Sequence, residues 1–474
     1  MDVNLTHPIY SIVGQAAENM GVRAYAVGGV VRDYFLHRHC TDIDIVCVGS
    51  GIELAKAVAD TIGHNTEVHV FKNFGTASLR YNYAGENWQI EFVGARRESY
   101  HFESRKPVVT DGTLEDDMNR RDFTINDMAV SINSDTFGQL IDPYGGILDL
   151  DRGIIRTPLD PIITFSDDPL RMMRAIRFAA QLGFTIDPDT FQAIRSNVGR
   201  IKIVSAERIT TELNKIILSP VPSEGFRLLL DAGLLDIIMP DIARLKGVES
   251  VGQHAHKDNF YHTLKVLDNV SAKSNNLWLR WAALLHDIGK PACKRYNEQS
   301  GWTFHGHEAH GAKMVKRIFS RLRLPLDAKM KYVERLVFLH MRPIVLAEDT
   351  VTDSAVRRLL FEAGDDIEDL MTLCEADITS RNEAKVRRHL ENFQLVRQKL
   401  KELEEKDHIR NFQPPVSGAD IMRVFHLNPC SQIGIIKDAI KDAILDGTIP
   451  NEREAAWQMM LDEGAKLGLT AYDE

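Results

Sequence analysis

Along residues 1–155, short apolar runs rich in β-branched side chains alternate with stretches of helical character. Five runs carry the strand signal: RAYAVGG, DIDIVCVG, TEVHVF, TASLRYNY and NWQIEFVGAR. Such runs are typical of strands. From about Pro158 onward the strand signal almost disappears, and apolar residues recur at helical spacing, as in DPLRMMRAIRFAAQLGF (168–184) and ERITTELNKIIL (207–218). The pattern therefore predicts an α/β head followed by a helical remainder.

Proline and glycine mark the predicted domain boundaries. SPVPSEG (219–225) is typical of a hinge, and NFQPPVSG (411–418) precedes a final helical segment. A chain of 474 residues is too long for one hydrophobic core, which suggests three or four domains. We expect an elongated molecule with a head at 1–155, a helical neck at 156–222, a helical body at 223–385 and a helical tail at 386–474.

Composition argues against several classes of protein. No apolar run approaches the ~18 residues that a membrane helix needs, and the N-terminal MDVNLTHPIY lacks the features of a signal peptide. The five cysteines form no CxxC pair, which favours reduced thiols in the cytoplasm over disulfides or a cysteine–zinc site. The formal net charge of −10 gives no global sign of nucleic-acid binding, so any such role depends on local basic patches. These features leave the oligomeric state open.

Two glycines and two aspartates stand out in the head. Gly28 and Gly29 lie between a predicted strand and a predicted helix, where glycines let backbone N–H groups approach a phosphate; a tight structural turn is the plain alternative. On the next strand Asp42 and Asp44 share one face, while Ile43 faces the other way. The two aspartates either protect an edge strand or hold Mg²⁺ ions against a nucleoside triphosphate for in-line displacement. The nearby glycine turn favours the second interpretation.

The segment GGVVRDYFLHRHCTDIDIV (28–46) resembles the first motif of the class II tRNA nucleotidyltransferases and bacterial poly(A) polymerases, within the DNA polymerase β-like nucleotidyltransferase superfamily. The resemblance continues in order through EDDMNRRDFTINDMA (115–129), SDDPLRMMRAIRFAAQLGF (166–184), VSAERITTEL (204–213) and the tail segment 414–452. It implies a head built on a polymerase β-like mixed sheet. It further implies template-independent addition of C, C and A to the 3′ end of tRNA from CTP and ATP, with release of pyrophosphate.

The resemblance also assigns roles to single residues. Asp42 and Asp44 would hold Mg²⁺. Asp122 would accept from the ribose hydroxyls, which favours ribonucleotides because a deoxy sugar leaves that acceptor unpaired; a surface Arg–Asp pair is the alternative. Glu91 is either a third acidic group facing the metals or a satisfied surface carboxylate. The full predicted nucleotide-binding set is Gly28, Gly29, Arg32, Arg121, Asp122, Asn126, Asp168, Arg171 and Arg174.

The motif DDPLR matches the family's EDxxR element, with Asp167 where glutamate is usual. The resemblance assigns recognition of the incoming base to Asp168 and Arg171. Cytosine and adenine both present an amino donor beside a ring-nitrogen acceptor, which a carboxylate and a guanidinium complement, whereas uracil and guanine present the reversed pattern. Asp168 followed by Pro169 is also typical of a helix N-cap. Both roles together require a shared carboxylate or capping by Asp167.

Histidines and aspartates of the helical body resemble the pattern of HD phosphohydrolases. The predicted metal site consists of His262, His286, Asp287, His307, His310, His340 and Asp377. Imidazole and carboxylate groups from separate helices suit a transition metal, of open identity, and leave positions for water and phosphate. A solvated histidine cluster is the alternative for HGHEAH. Some tRNA nucleotidyltransferases with an HD domain show phosphatase and cyclic phosphodiesterase activity, so an accessory phosphohydrolase activity is a hypothesis for this chain.

Three basic segments are candidates for tRNA contact: 313–331, 387–401 and 97–106. Phosphate contacts supply much of the salt-dependent affinity for nucleic acid, although most charge runs are only solvated helix faces. Alternative functions on the same scaffold are poly(A) polymerase and an enzyme that adds only part of the C-C-A end. A phosphohydrolase whose head merely binds nucleotide is an alternative of a different class.

Overall fold

In a computed structural model of the chain, residues 2–472 are described except 64–65, 102–103, 249, 252–253, 256–257, 300, 349–351, 381, 408–409 and 411. The chain divides into two compact units, Met1–Pro240 and Asp241–Glu474. The N-terminal unit contains the predicted sheet, and the C-terminal unit is mainly helical. Among the described residues, no helix has both the length and the apolar character needed to cross a membrane. The five cysteines are all free thiols.

All five apolar runs predicted as strands form strands of the N-terminal unit. Its strands are β1 (Ala24–Val27), β2 (Asp42–Cys47), β3 (Val68–Phe71), β4 (Thr76–Tyr83), β5 (Glu86–Gly94), β6 (Arg96–His101), β7 (Ser104–Asp111), β8 (Ala129–Ser131), β9 (Leu140–Ile141), β10 (Ile154–Ile155) and β11 (Thr185–Ile186). Seven of them form one sheet in the order β3-β4-β5-β2-β1-β8-β9, with β2 at its centre. Because β2 pairs in parallel with β5 and antiparallel with β1, the predicted mixed sheet is confirmed.

Eleven helices lie within the described residues of this unit. They are α1 (Pro8–Asn19), α2 (Gly29–Phe35), α3 (Gly51–Ile62), α4 (Leu114–Asn119), α5 (Gly146–Arg152), α6 (Pro161–Asp167), α7 (Leu170–Leu182), α8 (Pro188–Asn197), α9 (Ala206–Ile217), α10 (Pro222–Asp231) and α11 (Leu234–Ile238). α7 ends at Gly183 as the sequence predicts, because this glycine adopts the left-handed conformation with φ 73°. The predicted hinge 219–225 is partly helical, since Pro222 begins α10.

One face of strand β2 packs in the core, and the other face carries the predicted metal ligands. Its side chains alternate as expected, with Asp42 and Asp44 exposed and Ile43 and Ile45 buried. The two isoleucines belong to a hydrophobic core that also contains buried side chains of α1, α3, β4 and β5. The sheet therefore holds the two carboxylates on a fixed surface opposite to its packed side.

The C-terminal unit is built from helices with two short hairpins. α12 (Pro240–Ala243) begins at the division between the units, and the helices that follow are α13 (Asn259–Ser271), α14 (Leu277–Leu285), α15 (Lys290–Cys293), α16 (His307–Leu322), α17 (Ala328–Leu339), α18 (Met341–Glu348), α19 (Asp353–Ala363), α20 (Ile367–Asp377), α21 (Glu383–Asp407), α22 (Gly418–Val424), α23 (Ser431–Leu445) and α24 (Arg453–Lys466). The hairpin strands are β12 (Ser250–Val251), β13 (His254–Ala255), β14 (Arg295–Asn297) and β15 (Gly301–Thr303). Phe260 of α13, Trp281 of α14 and Phe319 of α16 are fully buried, and the rings of Trp281 and Phe319 lie 6.0 Å apart. The predicted helical remainder is confirmed.

One carboxyl group of the N-terminal unit is buried without a hydrogen bond. Asp127 follows the 3-10 turn Thr124–Asn126, and within the described part of the chain neither of its oxygens has a hydrogen-bond partner. The Arg121 guanidinium lies 3.9 Å away. Burial raises the pKa of Asp127 from 3.8 to about 8, against the opposing effect of Arg121, and the nearby carboxylate of Asp117 adds to the increase. Asp127 therefore carries a proton in the folded chain at neutral pH.

This proton makes stability depend on pH in a defined direction. Between about pH 4 and pH 8 the folded chain binds one more proton at Asp127 than the unfolded chain, so this group lowers the free energy of unfolding as pH rises, by up to about 1.4 kcal/mol per pH unit. Asp127→Asn removes that contribution. In urea unfolding, we expect the stability of the variant relative to wild type to increase from pH 5 to pH 8. The exposed Asp151→Asn should show no such trend, and parallel profiles for Asp127→Asn and wild type would contradict the assignment.

Candidate active site

A cavity of about 620 Å³ lies in the N-terminal unit. All nine predicted nucleotide-binding residues line it, together with Asp44. The sequence prediction missed eight further lining residues: Arg120, Leu170, Arg177, Phe178, Gln181, Arg208, Thr211 and Glu212. Seven arginines and four carboxylates surround the cavity, so its charge suits an anionic ligand. Asp42 is outside the lining but shares an exposed face of β2 with Asp44.

The glycine turn brings the backbone close to two charged groups. Gly28 has φ 74° and ψ −131°, a conformation that L side chains rarely adopt. A Cβ at this position would lie 3.3 Å from Asp44 Oδ2 and 3.4 Å from Arg121 Nη1. Glycine therefore satisfies both the backbone conformation and the limited space, and the turn forms one wall of the cavity.

Asp44 of the cavity wall has two further carboxylates, Asp42 and Glu91, beside it on β2 and β5. Asp44 and Glu91 are register partners in the parallel pair of β2 and β5, and Gln89, the partner of Asp42, donates to Glu91 Oε1 at 2.9 Å. Asp44 is an exposed residue of β2, yet its carboxyl lies in the cavity wall. Reduced contact with water there raises the pKa of the carboxyl to about 6. Arg121 opposes this shift, whereas the charge of Glu91 adds to it. The arrangement concentrates negative charge that a cation would neutralise.

A single buried carboxylate orients two of the cavity arginines. Asp117 is fully buried in α4; its Oδ1 accepts from Arg120 Nε at 2.9 Å and Nη2 at 2.6 Å. Its Oδ2 accepts from Arg121 Nη2 at 2.8 Å and Nε at 3.2 Å. Asp117 is therefore a positioning residue that sequence reasoning missed. The available signal was its spacing, since an acid three and four residues before two arginines lies on their side of a helix.

A chain of hydrogen bonds connects α7 to the glycine turn. Arg174 Nε of α7 donates to Asp122 Oδ2 at 2.5 Å, and Asn126 Nδ2 donates to Asp122 Oδ1 at 3.2 Å. Asn126 Oδ1 in turn accepts from Arg32 Nη1 of α2 at 2.7 Å. Four predicted residues, far apart in sequence, are thus joined in one network. The ribose contact proposed for Asp122 stays a prediction, because both of its oxygens also serve this network.

The aromatic ring of Phe178 packs against three of the cavity arginines. Phe178 is buried in α7, and three guanidinium groups lie over its ring, those of Arg177 at 4.2 Å, Arg32 at 5.3 Å and Arg174 at 5.5 Å from the centroid. Cation–π attraction of this kind limits the freedom of the side chains involved. The cavity wall is therefore organised before any ligand binds.

The predicted base-recognition pair lies at the start of α7. Asp168 Oδ1 accepts from the Leu170 N–H at 3.2 Å, and its Oδ2 lies 3.7 Å from Arg208 Nη2. Pro169 is the N-cap residue of α7, so Asp168, one residue earlier, contacts the first N–H of the helix without being its cap, whereas Asp167 is the last residue of α6. Arg171 donates to the backbone carbonyl of Arg120. The Asp168 carboxylate thus lines the cavity and also contacts the start of α7, while the predicted N-cap position is taken by Pro169.

Helix α9 contributes the remaining wall. Arg208, Thr211 and Glu212 recur at three- and four-residue spacing in the motif ERITTEL, so they lie on one face of the helix. Glu212 forms a buried ion pair with Arg177 of α7, with Nε and Oε2 2.9 Å apart. Burial lowers the pKa of Arg177 to about 10, against the effect of Glu212. The signal in the sequence was that these three polar residues share one face of a predicted helix.

The C-terminal unit contains the second predicted site. Two groups of side chains have ligand atoms within 4.8 Å of one another: His262, His286 and Asp287, and Asp287, His307 and His340. Asp377 Oδ1 lies 2.9 Å from His262 Nε2 and 3.6 Å from His286 Nε2. His310 is exposed and belongs to neither group. Six of the seven predicted residues are therefore together.

The buried imidazoles share one orientation. The Nδ1 atoms of His286, His307 and His340 lie 2.7–2.8 Å from the carbonyl oxygen three residues earlier in the chain. Because a carbonyl only accepts, each Nδ1 is the donor, and each Nε2 remains available towards Asp287, which lies 3.3–3.9 Å away. Fixing the tautomer in this way is typical of histidines that bind metals.

Electrostatics at this site also suit a cation. Burial alone would lower the pKa of His286, but the carboxylates of Asp287 and Asp377 outweigh it and raise that pKa to about 10. Burial lowers the pKa of His340 to about 4, with a further decrease from the neighbouring His286. The raised pKa of His286 favours its charged form, and that charge would offset the two buried carboxylates as a bound metal ion would.

Comparison with known families identifies three regions of the chain. Residues 24–156 match the family described as "Poly A polymerase head domain", and residues 183–246 match "Probable RNA and SrmB- binding site of polymerase A". Residues 259–382 match "HD domain". Nucleotidyltransferases of the first type and HD proteins are metal-dependent, in agreement with the carboxylate and histidine groups described above.

Similar proteins cover most of the chain. The A-adding tRNA nucleotidyltransferase of Deinococcus radiodurans is 33% identical over 352 residues, 72% of this chain and 78% of that protein. The multifunctional CCA protein of Pseudomonas fluorescens is 35% identical over 317 residues, 65% of this chain and 72% of that protein. A solved tRNA nucleotidyltransferase complexed with a primer tRNA and an incoming ATP analog is 26% identical with a TM-score of 0.57, covering 83% of this chain and 99% of that chain.

These similarities agree with the order of motifs in the sequence, with the mixed-sheet head and with the helical remainder. The chain therefore belongs to the tRNA nucleotidyltransferase family, with a head of the poly(A) polymerase type and an HD domain, and it is a nucleotidyltransferase.

Proposed function

We propose that the chain adds C, C and A to the 3′ end of tRNA without a nucleic-acid template, using CTP and ATP and releasing pyrophosphate. The observation that carries this proposal is the single cavity lined by Asp44, Asp168 and Arg171. Similarity to a CCA protein and to a nucleotidyltransferase solved with tRNA and an ATP analog supports it. Five free thiols suit the cytoplasm as its compartment.

In the proposed reaction the 3′-hydroxyl of tRNA attacks the α-phosphorus of the nucleotide. A bond forms between that oxygen and phosphorus, the bond from the α-phosphorus to the bridging oxygen breaks, and pyrophosphate leaves. Asp42 and Asp44 would hold Mg²⁺, with Glu91 beside them. Carboxylate oxygens are ligands that this ion prefers, and when bound it stabilises charge on the attacking and leaving oxygens.

The cavity arginines would bind the triphosphate. Guanidinium groups bind phosphate oxygens through paired hydrogen bonds, and their orientation here is set by Asp117, Asp122 and the ring of Phe178. Side chains held in advance lose little conformational entropy when the ligand binds. This organisation supports tight and oriented nucleotide binding.

Recognition of C and A would depend on Asp168 and Arg171 at one end of the same cavity. The carboxylate would accept from the exocyclic amino group, and the guanidinium would donate to the ring nitrogen. Uracil and guanine would each leave a buried polar group unpaired, which is the larger part of the discrimination.

Product analysis tests the reaction. With a tRNA that lacks its 3′ C-C-A, we expect CTP and ATP together to extend the end by C, C and A and then stop, and UTP and GTP to be excluded. Asp42→Asn and Asp44→Asn should each lower the rate about a thousand-fold, or about 4 kcal/mol, because each removes a metal ligand. Long A-tails without C would indicate a poly(A) polymerase. Addition of A only to a tRNA already ending in C-C would indicate a partial enzyme, as in the A-adding relative.

Base selection has its own test in Asp168→Asn. Asparagine can still accept from the Leu170 N–H, so this contact with the start of α7 is retained while the charged acceptor for the amino group is lost. We expect kcat/KM for CTP and ATP to fall about ten- to a hundred-fold, as for loss of a hydrogen bond to a charged group, and the preference for CTP over UTP to shrink. Asp167→Asn, which changes the adjacent carboxylate outside the cavity lining, is the matched control. An unchanged ratio of CTP to UTP in Asp168→Asn would assign base recognition elsewhere.

We also propose a phosphohydrolase site in the HD domain. His262, His286, Asp287, His307, His340 and Asp377 would hold a transition metal through imidazole nitrogens and carboxylate oxygens. The fixed Nε2 orientation of three buried histidines supports this donor set. Asp287 belongs to both candidate ligand groups, so it is the residue on which metal binding would depend most.

Metal content separates this second activity from the first. After loading with Ni²⁺, Co²⁺ or Mn²⁺ and desalting, we expect elemental analysis to find metal in the wild-type chain and in His310→Ala, but not in Asp287→Asn. Hydrolysis of p-nitrophenyl phosphate and of a 2′,3′-cyclic nucleotide should follow the metal content, because substrate activation depends on the bound ion. Equal metal content in wild type and Asp287→Asn would rule out the site.

A further inference from the structure

A second open cavity, of about 440 Å³, lies in the C-terminal unit and combines aromatic and basic side chains. Its lining includes Trp278 of α14, Lys329, Lys331, Tyr332 and Arg335 of α17, and Asp366. Three cations therefore face one carboxylate. This composition differs from that of the HD site, where histidines and aspartates dominate.

The two aromatic side chains are held in place. The Trp278 indole packs 6.0 Å from the buried ring of Phe319, and its backbone N–H donates to Asn276 Oδ1 at 3.0 Å in the cap of α14. The Tyr332 hydroxyl donates to Asp369 Oδ2 at 2.6 Å. Trp278 is only partly buried, so a fixed indole borders an open cavity.

The lysines at the cavity form no ion pair within the described residues, although Lys329 contacts an aromatic ring. Lys329 and Lys331 are exposed, and within the described part of the chain neither ammonium group has a carboxylate partner at ion-pair distance. Lys329 Nζ lies 5.4 Å from the Trp278 ring centroid, whereas Arg335 is paired with Asp366 at 2.8 Å. Two positive charges next to a fixed indole thus remain for a ligand.

Other cations of the predicted basic segments are less available. On α16, Arg317 and Arg321 contact the buried Asp241 at 3.0 and 2.7 Å. On α21, Lys399 contacts Asp353 at 3.0 Å, and Arg397 contacts Glu375 at 2.7 Å. Part of the segment 97–106 lies outside the described residues. Lys329 and Lys331 therefore differ from these four cations in having no carboxylate partner within the described residues.

We propose that this cavity binds an unpaired nucleotide of tRNA, with the base stacked on Trp278 and the flanking phosphates bound by Lys329 and Lys331. The site rests on the proposed function, since tRNA is the partner that function assigns. Aromatic side chains bind any unstacked base through its ring face, and lysines beside them follow the backbone. An acidic peptide would use the lysines but gain little from the indole. The region matched to the RNA-binding family, 183–246, does not include this cavity.

Binding of a tRNA that lacks C-C-A, measured by fluorescence anisotropy with the full chain and without CTP or ATP, tests the site. We expect Trp278→Ala to raise Kd between about 5-fold and 150-fold, as for loss of a stacked base, with little change in salt dependence. Lys329→Gln combined with Lys331→Gln should reduce the slope of log Kd against log salt by roughly 0.7–0.9 per lost contact. Both lysines are exposed, so this double variant leaves the core intact.

A matched control is present in the same unit. Lys294 Nζ lies 4.5 Å from the Trp302 ring on the β14–β15 hairpin, so Lys294→Gln with Trp302→Ala removes a similar pair elsewhere and should leave Kd unchanged. Unchanged Kd in Trp278→Ala and unchanged slope in the double lysine variant would overturn the site, even if the enzyme adds C, C and A. If polyglutamate but not single-stranded RNA competes with tRNA for the Trp278 site, the site binds an acidic peptide and the proposal is overturned. Weakened binding in a chain that adds no nucleotide would support the site and overturn only the proposed function.

Discussion

The ion pair between Asp122 and Arg174 is the contact on which the candidate active site depends. It connects α7, which carries the predicted base-recognition residues, to the segment that carries Asn126, and through Asn126 to Arg32 beside the glycine turn. Asp122 is buried, so loss of its partner would leave an uncompensated charge in the protein interior. The same contact therefore joins the part of the cavity near the predicted metal ligands to the part near the predicted base-recognition residues.

Much of this site could be predicted because its signals are local. The alternation of Asp42, Ile43 and Asp44 requires only the two-residue repeat of a strand, and Gly28 requires only a turn with positive φ. Contacts between residues on different elements could not be predicted from such local patterns. The ion pair of Arg177 with Glu212 joins residues on different helices, and nothing in either motif indicates the partner.

The candidate metal site of the HD domain shows the same limit, because the sequence pattern also selected a residue that does not join the site. Residue type and order in the sequence were sufficient to group His286, Asp287 and His340. His310 has the same chemistry, yet it is exposed and belongs to neither candidate metal-binding group. The difference is one of helix geometry, because His307 and His310 are three residues apart on α16 and only His307 is turned into the core. A sequence motif identifies candidate ligands, whereas packing decides which of them meet.

The double role of Arg120 links the two ends of the nucleotide cavity. Its guanidinium is held by Asp117 together with that of Arg121, and its backbone carbonyl accepts from Arg171. A triphosphate that draws Arg120 and Arg121 towards itself would change the position of a base-recognition side chain, and by thermodynamic linkage the correct base would strengthen the hold on the triphosphate. If these side chains act as proposed, selectivity for C and A depends on the whole nucleotide, and they would discriminate poorly between free nucleosides.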